Sequence, residues 1–311
     1  MHRNVALLSV AVVALANIAQ APAPAPPLVL VGKPYPQYQQ VSAAIAQEWK
    51  QATGIEPLVA TFPESEPERQ LLLRRRPGLV MCLGETPATW AVQRQEPFPL
   101  AFTMIVDPQR LRETRDESAV STRKLHGVSI DVSAEEQVAI LKKMLPTVRR
   151  IGVMTQDTSL RDTVAAVRQA CEKHGLQLVH AEIAGISELP AKFEQLLGEV
   201  DMVWSLPDPN IFQPQLARHI IGQCAARGIP LLGLSASFVK AGATISFERD
   251  YHEIGRMLAR QCLHDSAGPG PVATWKVEVP SQIVVSINLR SFDALNLKSS
   301  IEDYRVRIAK Y

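Results

Sequence analysis

The sequence predicts an α/β protein built on parallel sheets, and three observations favour this fold class. Across residues 126–255, apolar strands, amphipathic helices and polar turns alternate as they do in successive βαβ units. The strands are short apolar runs, which is typical of parallel strands buried on both faces. The helices begin at capping residues and end at glycine or proline, as at Ser133, Gly175 and Gly228. The chain has 311 residues, enough for two such lobes or for one large α/β unit.

In the amino-terminal part, the apolar runs predict a sheet of four strands. The predicted strands are residues 28–31, 55–60, 79–83 and 98–106, and the predicted helices are residues 37–53, 67–75 and 87–93. Strands separated in this way by helices form a parallel sheet that is covered on both faces.

The second part has clearer helix boundaries. Ser133 and Glu136 have the spacing of a capping box, and Pro146 ends the helix that follows them. The further predicted strands are residues 151–154, 178–181, 201–206 and 229–234, and the further helices are residues 160–174, 189–197 and 213–227. Right-handed crossovers place the loops after these strands on one edge of the sheet.

The first residues are typical of an export signal. Residues 1–4 are a short basic start, residues 5–18 are an apolar run, and Ala19-Gln-Ala21 has the form of a cleavage site. We therefore expect residues 1–21 to be a cleaved signal peptide, residues 22–27 to be a Pro/Ala leader, and the mature protein to be periplasmic. An uncleaved anchor is the alternative, but the run is shorter than the ~20 apolar residues that cross a bilayer. No cysteine near the cleavage site could carry a lipid.

The composition excludes several classes of partner and site. The net charge of +2 gives no indication of nucleic acid or acidic lipid as a partner. The histidines are scattered without the spacing of metal ligands, so we expect no metal and no cofactor. The cysteines lack a CxxC pair, and we expect buried thiols, with disulfides as the alternative. They are Cys82, Cys171, Cys224 and Cys262.

Catalytic motifs are also missing. The sequence contains no HExxH, GxSxG, GxxxxGK[ST] or GxGxxG after a strand. Residues 233–237 come near a nucleophile elbow, but Ser237 stands where that motif needs its second glycine. We therefore expect no catalytic residues, and a secreted enzyme is the least favoured of the functions considered.

Polar residues that follow the predicted strands are the candidates for ligand binding. Thr86 would cap a helix after the strand at 79–83, where free backbone amides favour an anion such as a carboxylate. Asp208 and Asn210 follow another strand, and Ser235 follows the next. Ligands of open α/β sheets bind beyond the carboxyl ends of strands, although each residue alone could be only a cap or turn former. Tyr35, beside a proline after the first strand, could stack on a ligand.

Several short motifs occur in the same order as in one known family. The chain resembles the ABC-transporter substrate-binding family of the type I periplasmic-binding-protein fold, which includes tryptophan-binding members. The resemblance covers roughly residues 77–297 and rests on many weak motifs in register. These motifs are Gly127-Val-Ser129, Leu141-Lys-Lys-Met-Leu-Pro146, Arg150-Ile-Gly-Val153, Asp208-Pro-Asn210, Gly242-Ala, Asp250-Tyr251, Ile254-Gly255 and Ile287-Asn-Leu289.

The resemblance implies two doubly wound lobes, joined by three crossings, that close like a Venus flytrap on a small ligand. The crossings would lie near residues 108–125, 239–244 and 268–271. The first lobe would comprise residues 28–125 plus 241–265, and the second would comprise residues 126–240 plus 266–311. Closure would require a ligand with greater affinity for the closed state.

The resemblance also implies roles for individual residues. Thr86 and Pro87 match the family's Gly-Thr-Pro-Ala turn, with Glu85 as an extra residue. Thr103 and Asp107 match the end of the strand before the first crossing. The remaining matches are Asp208 and Asn210 in a Thr-Asp-Asn loop, Ser235 after the next strand, and Asp250 before the returning helix. The first lobe departs most, because Tyr35-Pro-Gln-Tyr38 replaces the usual segment after the first strand.

On this interpretation the protein is the monomeric solute receptor of an importer. It would capture an amino acid or similar small carboxylate and deliver it to an ABC permease and its ATPase subunit. The alternative is a ligand-sensing subunit that presents its closed form to a membrane-bound signalling protein. A transporter operon beside the gene would favour the first.

Overall fold

A computed structural model of the protein describes residues 25–94, 98–113, 125–266, 275–297, 303 and 305–311. The expected signal peptide, residues 1–21, lies outside these residues. None of the described helices combines the length and apolar character needed to cross a membrane.

Within the described residues, strands and helices alternate from the first strand to the strand at Trp275–Glu278. The first elements are β1 (Leu28–Val31), α1 (Pro36–Thr53), β2 (Leu58–Thr61), α2 (Glu66–Leu73), β3 (Val80–Leu83), α3 (Glu85–Val92), β4 (Leu100–Thr103), α4 (Pro108–Glu113) and β5 (Leu125–Val128). Next come α5 (Ala134–Met144), β6 (Arg150–Thr155), α6 (Arg161–Lys173), β7 (Gln177–Glu182), α7 (Leu189–Glu199), β8 (Met202–Trp204), α8 (Pro214–Ala226), β9 (Leu231–Leu232), α9 (Ala236–Lys240) and β10 (Ile245–Arg249). The last are α10 (Tyr251–Ser266), β11 (Trp275–Glu278), β12 (Ile283–Ile287), α11 (Leu289–Ala294) and β13 (Val306–Lys310). Short 3-10 turns precede α6 and α7.

The strands form two sheets, and each sheet is the centre of one lobe. The first sheet has the order β11-β5-β4-β3-β1-β2, and all its strands are parallel. The second has the order β13-β12-β10-β9-β8-β6-β7, in which only the β10–β12 pair is antiparallel. Both orders are doubly wound, which confirms the predicted fold class.

Apolar clusters cover both faces of each sheet, as expected for parallel strands. In the first lobe, α1 and α10 pack on one face, and α3 and α4 pack on the other. In the second lobe, α5 and α6 pack on one face, and α7 and α8 pack on the other. The predicted capping box of α5 is present: the Ser133 hydroxyl accepts from the Glu136 amide, and the Glu136 carboxylate accepts from the Ser133 amide.

The chain crosses between the sheets three times, but not where the resemblance placed the crossings. They lie at residues 129–133, between β5 and α5; at Asp250, between β10 and α10; and at residues 279–282, between β11 and β12. Residues 108–113 form α4 instead, and residues 239–244 join α9 to β10 within the second lobe. Residues 268–271 lie outside the described part of the chain.

The lobe boundaries are therefore corrected as well. Residues 125–128 pair with β4 and stay in the first sheet, whereas residues 245–249 pair with β9 and β12 in the second. Residues 275–278 return to the first sheet beside β5. These pairings join segments far apart in sequence, so the local pattern carries no signal for them.

The crossings fix how the lobes face each other. Two of them leave from the carboxyl ends of β5 and β10, and the third runs from the carboxyl end of β11 to Ile283, which pairs with Arg249 at the end of β10. The carboxyl ends of the parallel strands in both sheets therefore border the same space, which we call the cleft.

Candidate functional site

Each sheet has one position where the winding direction reverses, and both positions border the cleft. In the first sheet, β1 lies between β2 and β3, so the loops after β1 and β3 diverge. In the second, β6 lies between β7 and β8, and the loops after β6 and β8 diverge. A crevice at such a switch point is where open α/β sheets bind their ligands.

A depression of about 200 Å³ occupies the switch point of the first lobe. Its walls come from the loops after β1, β3 and β4 and from the first turn of α1. They are formed by Gly32, Lys33, Tyr38, Gly84, Glu85, Thr86, Pro87, Met104, Ile105 and Val106. Thr86 and Pro87, which the sequence analysis proposed as ligand contacts, are among these lining residues.

The turn between β3 and α3 is shaped by close backbone approach. Gly84 is the amino-terminal cap of α3 with φ of 104°, which favours glycine, and a Cβ there would come within 3.1 Å of the Tyr38 ring. Thr86 therefore does not cap the helix as predicted, but lies in its first turn with an exposed side chain. Within the described residues, the amides of Glu85 and Thr86 have no protein acceptor, as the first amides of a helix generally lack one.

Two tyrosines and a lysine stand at the edge of this depression. Tyr35 is 49% exposed, and its ring meets that of Tyr38 edge to face at 6.3 Å. The Lys33 ammonium lies 5.7 Å from the centre of the Tyr35 ring, within range of a cation–π contact. Burial, and then the neighbouring Tyr35 and Glu85, raise the pKa of Tyr38, so its hydroxyl is a neutral donor at pH 7.

The loop after β4 is strained where it lines the depression. Met104 has φ of 60°, a left-handed conformation that is uncommon for a residue other than glycine. Thr103, just before it, is fully buried and donates to the Val128 carbonyl at 2.7 Å. The Asp107 carboxylate accepts from the amides of Gln109 and Arg110 at the start of α4. The side chains of Thr103 and Asp107 therefore hold the loop in place.

In the second lobe, Asp208 joins the two loops at the switch point. It is only 1% exposed, and its Oδ2 accepts from the Gln156 and Asp157 amides at 2.6 and 2.8 Å. Its Oδ1 accepts from the Asn210 and Ile211 amides at 2.9 and 3.4 Å. Both carboxylate oxygens are thus used by the protein, and Asp208 positions its neighbours rather than offering a free group.

The predicted residues Asn210 and Ser235 do offer polar atoms at the ends of their strands. Asn210 is exposed, and Ser235 is partly exposed in the turn that leads into α9. No acceptor or donor for either side chain is found in the described part of the chain. In the loop after β6, hydrogen bonds from Ser159 lower the pKa of Asp157, and the positive charge of Arg110 on α4 of the first lobe lowers it further but more weakly.

A hydrogen-bonded pair connects the two lobes beside the second crossing. Glu248, near the end of β10, accepts from the Ala236 amide at 2.7 Å and from the Tyr251 hydroxyl at 2.8 Å. Burial, then the Glu248 carboxylate and the nearby Tyr38, raise the pKa of Tyr251 well above its ordinary value. Tyr251 is therefore a neutral donor. Tyr251 belongs to the Asp250-Tyr251 motif of the resemblance, but sequence reasoning selected neither Tyr251 nor Glu248 as a site residue.

Charged groups on the other side of the crossing hold the chain in place. The buried Arg249 guanidinium donates to the Asp131 carbonyl at 2.9 Å and to the Glu136 carboxylate at 2.7 Å. Asp250 caps α10 and pairs with Arg307 of β13 at 2.9 Å. Burial acts to raise the pKa of Asp250, but hydrogen bonds from the α10 amides and the Arg307 charge outweigh it and lower the pKa. Both oxygens of the Asp250 carboxylate thus hold the crossing in place.

The described residues bring no groups together for a metal site. No three His, Cys, Asp or Glu side chains among them are close enough to hold a metal ion. Burial raises the pKa of the Cys171 thiol to about 11 and that of Cys224 to about 12, so both are protonated at pH 7.

Comparison with known proteins agrees with this architecture. A family model described as "ABC transporter substrate binding protein" matches residues 68–302. No match was found among curated proteins.

Solved structures show the same fold at low sequence identity. One is a ligand-free, open substrate-binding protein with adhesive properties from Clostridium difficile, with 16% identity, a TM-score of 0.75, and coverage of 91% of this chain and 98% of that one. Another is the ABC domain in complex with L-Trp from Streptococcus pneumonia, with 19% identity, a TM-score of 0.63, and coverage of 91% and 100%. A third is a conserved domain protein from Vibrio cholerae, with 19% identity, a TM-score of 0.60, and coverage of 93% and 100%. The family match confirms the resemblance seen in the sequence, and the chain belongs to the family of ABC transporter substrate-binding proteins.

Proposed function

We propose that the protein captures an amino acid or a similar small carboxylate in the cleft and delivers it to the permease of an ABC importer. The observation that carries the proposal is the depression at the switch point of the first lobe, which faces polar loops of the second lobe across the cleft. Five of the residues selected in the sequence analysis remain proposed ligand contacts. The first lobe contributes Tyr35, Thr86 and Pro87, and the second contributes Asn210 and Ser235.

The first-lobe wall suits the carboxylate end of such a ligand. The amides of Glu85 and Thr86 are unused donors at the start of α3, where the helix dipole favours an anion. Lys33 supplies a full positive charge beside them, and Tyr38 supplies a neutral hydroxyl. The apolar side chains of the loop after β4 leave room for an uncharged part of the ligand.

The two walls belong to separate sheets, so a ligand that touches both would favour the closed state. Only a difference in affinity between open and closed forms can shift that equilibrium. Asp208 would fix the second-lobe wall by holding the Gln156 amide, and Asp250 would fix the crossing around which the lobes rotate.

A role as the receptor of an importer is consistent with the family of the chain and with the expected export signal. A periplasmic receptor would pass its ligand to the permease, and an ATPase subunit would drive transport. No catalytic role is proposed.

A thermal-shift screen against L-amino acids and small organic acids tests the proposal. A ligand that binds only the folded state, at 100 times its dissociation constant, adds ~2.7 kcal/mol to the free energy of unfolding. Lys33→Met should weaken a carboxylate ligand roughly tenfold, which lowers this gain by about 1.4 kcal/mol.

The matched control is Lys192→Met, on the exposed face of α7, which should bind as the unmodified protein does. If none of the compounds raises the melting temperature, the assignment to amino acids and small carboxylates is wrong.

A further inference from the structure

Glu248 differs from Asp107, Asp208 and Asp250 because the described residues offer it neither a cation nor enough donors to use both of its carboxylate oxygens fully. Asp208 is saturated by backbone amides, Asp250 pairs with Arg307, and Asp107 lies near Arg110. In the described part of the chain, Glu248 receives hydrogen bonds only from the Ala236 amide and the Tyr251 hydroxyl, both uncharged.

The position of Glu248 is fixed from both lobes. The Ala236 amide holds one carboxylate oxygen from the second lobe, and the Tyr251 hydroxyl holds the other from the first helix after the crossing. Each carboxylate oxygen can accept a further hydrogen bond, so the group keeps free capacity. A preorganised, partly buried carboxylate without a counterion attracts a cationic nitrogen strongly, because such a group is costly to desolvate alone.

Aromatic rings beside Glu248 suit the same kind of group. Tyr251 donates to it, and Tyr38, next to Tyr251, also lines the depression of the first lobe. The faces of tyrosine rings attract cations. The neighbouring Arg249 does not compete, because its guanidinium is bound to Asp131 and Glu136.

We infer that Glu248, steadied by Tyr251, is the subsite for a cationic nitrogen of the ligand, so the protein selects a zwitterion over a simple carboxylate. This inference rests on the proposed function, and it narrows the class of ligand to compounds that carry both a carboxylate and a cationic nitrogen. The carboxylate of the ligand would lie toward Lys33, and its ammonium or guanidinium group would lie toward Glu248.

The test compares two pairs of probes that differ only at a charged nitrogen. L-Tryptophan is paired with indole-3-lactate, in which a hydroxyl replaces the α-ammonium, and L-arginine with L-citrulline, its uncharged side-chain analogue. Calorimetric titration of the purified protein should show tighter binding of the cationic member of at least one pair. Glu248→Gln keeps the size and an acceptor but removes the charge, and should weaken that member roughly 10- to 100-fold while leaving its partner within about threefold.

Two further variants separate charge from structure. Tyr251→Phe keeps the Glu248 charge and should retain most of the preference for the cationic probe. Glu194→Gln, on the outer helix α7, is the matched control and should bind as the unmodified protein does.

The outcomes distinguish this inference from the proposed function. If Glu248→Gln weakens both members of a pair equally, or neither, Glu248 is not the cation subsite although the receptor function stands. The inference is also wrong if the unmodified protein binds indole-3-lactate at least as tightly as L-tryptophan, and L-citrulline at least as tightly as L-arginine. Failure of all amino acids and small carboxylates to bind would overturn the proposed function and this inference together.

Discussion

Replacing Asp208 by asparagine tests whether this residue organises the second-lobe wall. Its two oxygens accept four backbone amides, two from the loop after β6 and two from its own loop. Asparagine has the same shape but only one acceptor oxygen. Its amino group must therefore face one pair of backbone N–H groups, either those of Gln156 and Asp157 or those of Asn210 and Ile211.

The cost follows from the donors that lose their acceptor. A buried donor left without a partner costs about 1–3 kcal/mol, and two donors are affected. The bond to Ile211 is long at 3.4 Å, and the exposed ends of the loops can partly relax toward water. We therefore expect Asp208→Asn to lower the free energy of unfolding by about 2–4 kcal/mol.

Urea denaturation and amide hydrogen exchange together measure the effect. Amide exchange should accelerate in the Asp208→Asn protein at one of the two pairs, either Gln156 and Asp157 or Asn210 and Ile211, because that pair loses its shared acceptor. Asp107→Asn is the matched control: Asp107 caps α4 in an exposed position, and asparagine caps a helix about as well as aspartate, so stability should change by less than about 0.5 kcal/mol. Equal stability of the two variants would refute the proposed role of Asp208.

Two other predictions concern helix packing and pH. A Cβ at Gly255 would lie 2.7 Å from the Ala44 Cβ, so Gly255→Ala should destabilise the protein by about 1–3 kcal/mol, whereas Gly222→Ala, in open space on α8, should be neutral or stabilising in thermal melts. Similar melting temperatures for the two variants would contradict this packing. Burial acts to raise the pKa of Asp201, but hydrogen bonds from two backbone amides and the Arg150 guanidinium lower it further than burial raises it. Its ionised form therefore stabilises the fold at pH values above its unfolded pKa, and this contribution is lost as the pH falls through the lowered folded pKa. Asp201→Asn should cost up to about 1 kcal/mol at pH 7 and progressively less in urea melts toward pH 2.5; a difference independent of pH would argue against it.

The alternation of strands and helices was sufficient to predict the doubly wound lobes, because burial and capping are local properties. The capping box at Ser133 and the left-handed cap at Gly175 are both present as predicted. The lobe boundaries were predicted wrongly, because β5 and β11 are placed by pairing with distant strands.

The sequence indicated which residues follow the strands, but not which groups their side chains contact. The sequence located Asp208 at a strand end, but its role depends on amides about 50 residues away, which no local pattern reveals. Glu248 was missed because it lies within a strand, where it reads as an ordinary solvent-facing position. Gln156 likewise becomes relevant only when the loops after different strands meet.

The packing of α1 against α10 has a consequence for synthesis of the chain. α1 buries Val41, Ile45 and Trp49 in a cluster completed by Ile254 and Leu258, and roughly 200 residues separate the two helices. At about 5–20 residues per second, a ribosome takes roughly 10–40 s to make that interval. During that time the core of the first lobe lacks α10, while the ribosome makes most of the second lobe. The nascent first lobe therefore cannot complete this core until α10 has been made, and a chaperone that protects the incomplete core would act on the apolar face of α1.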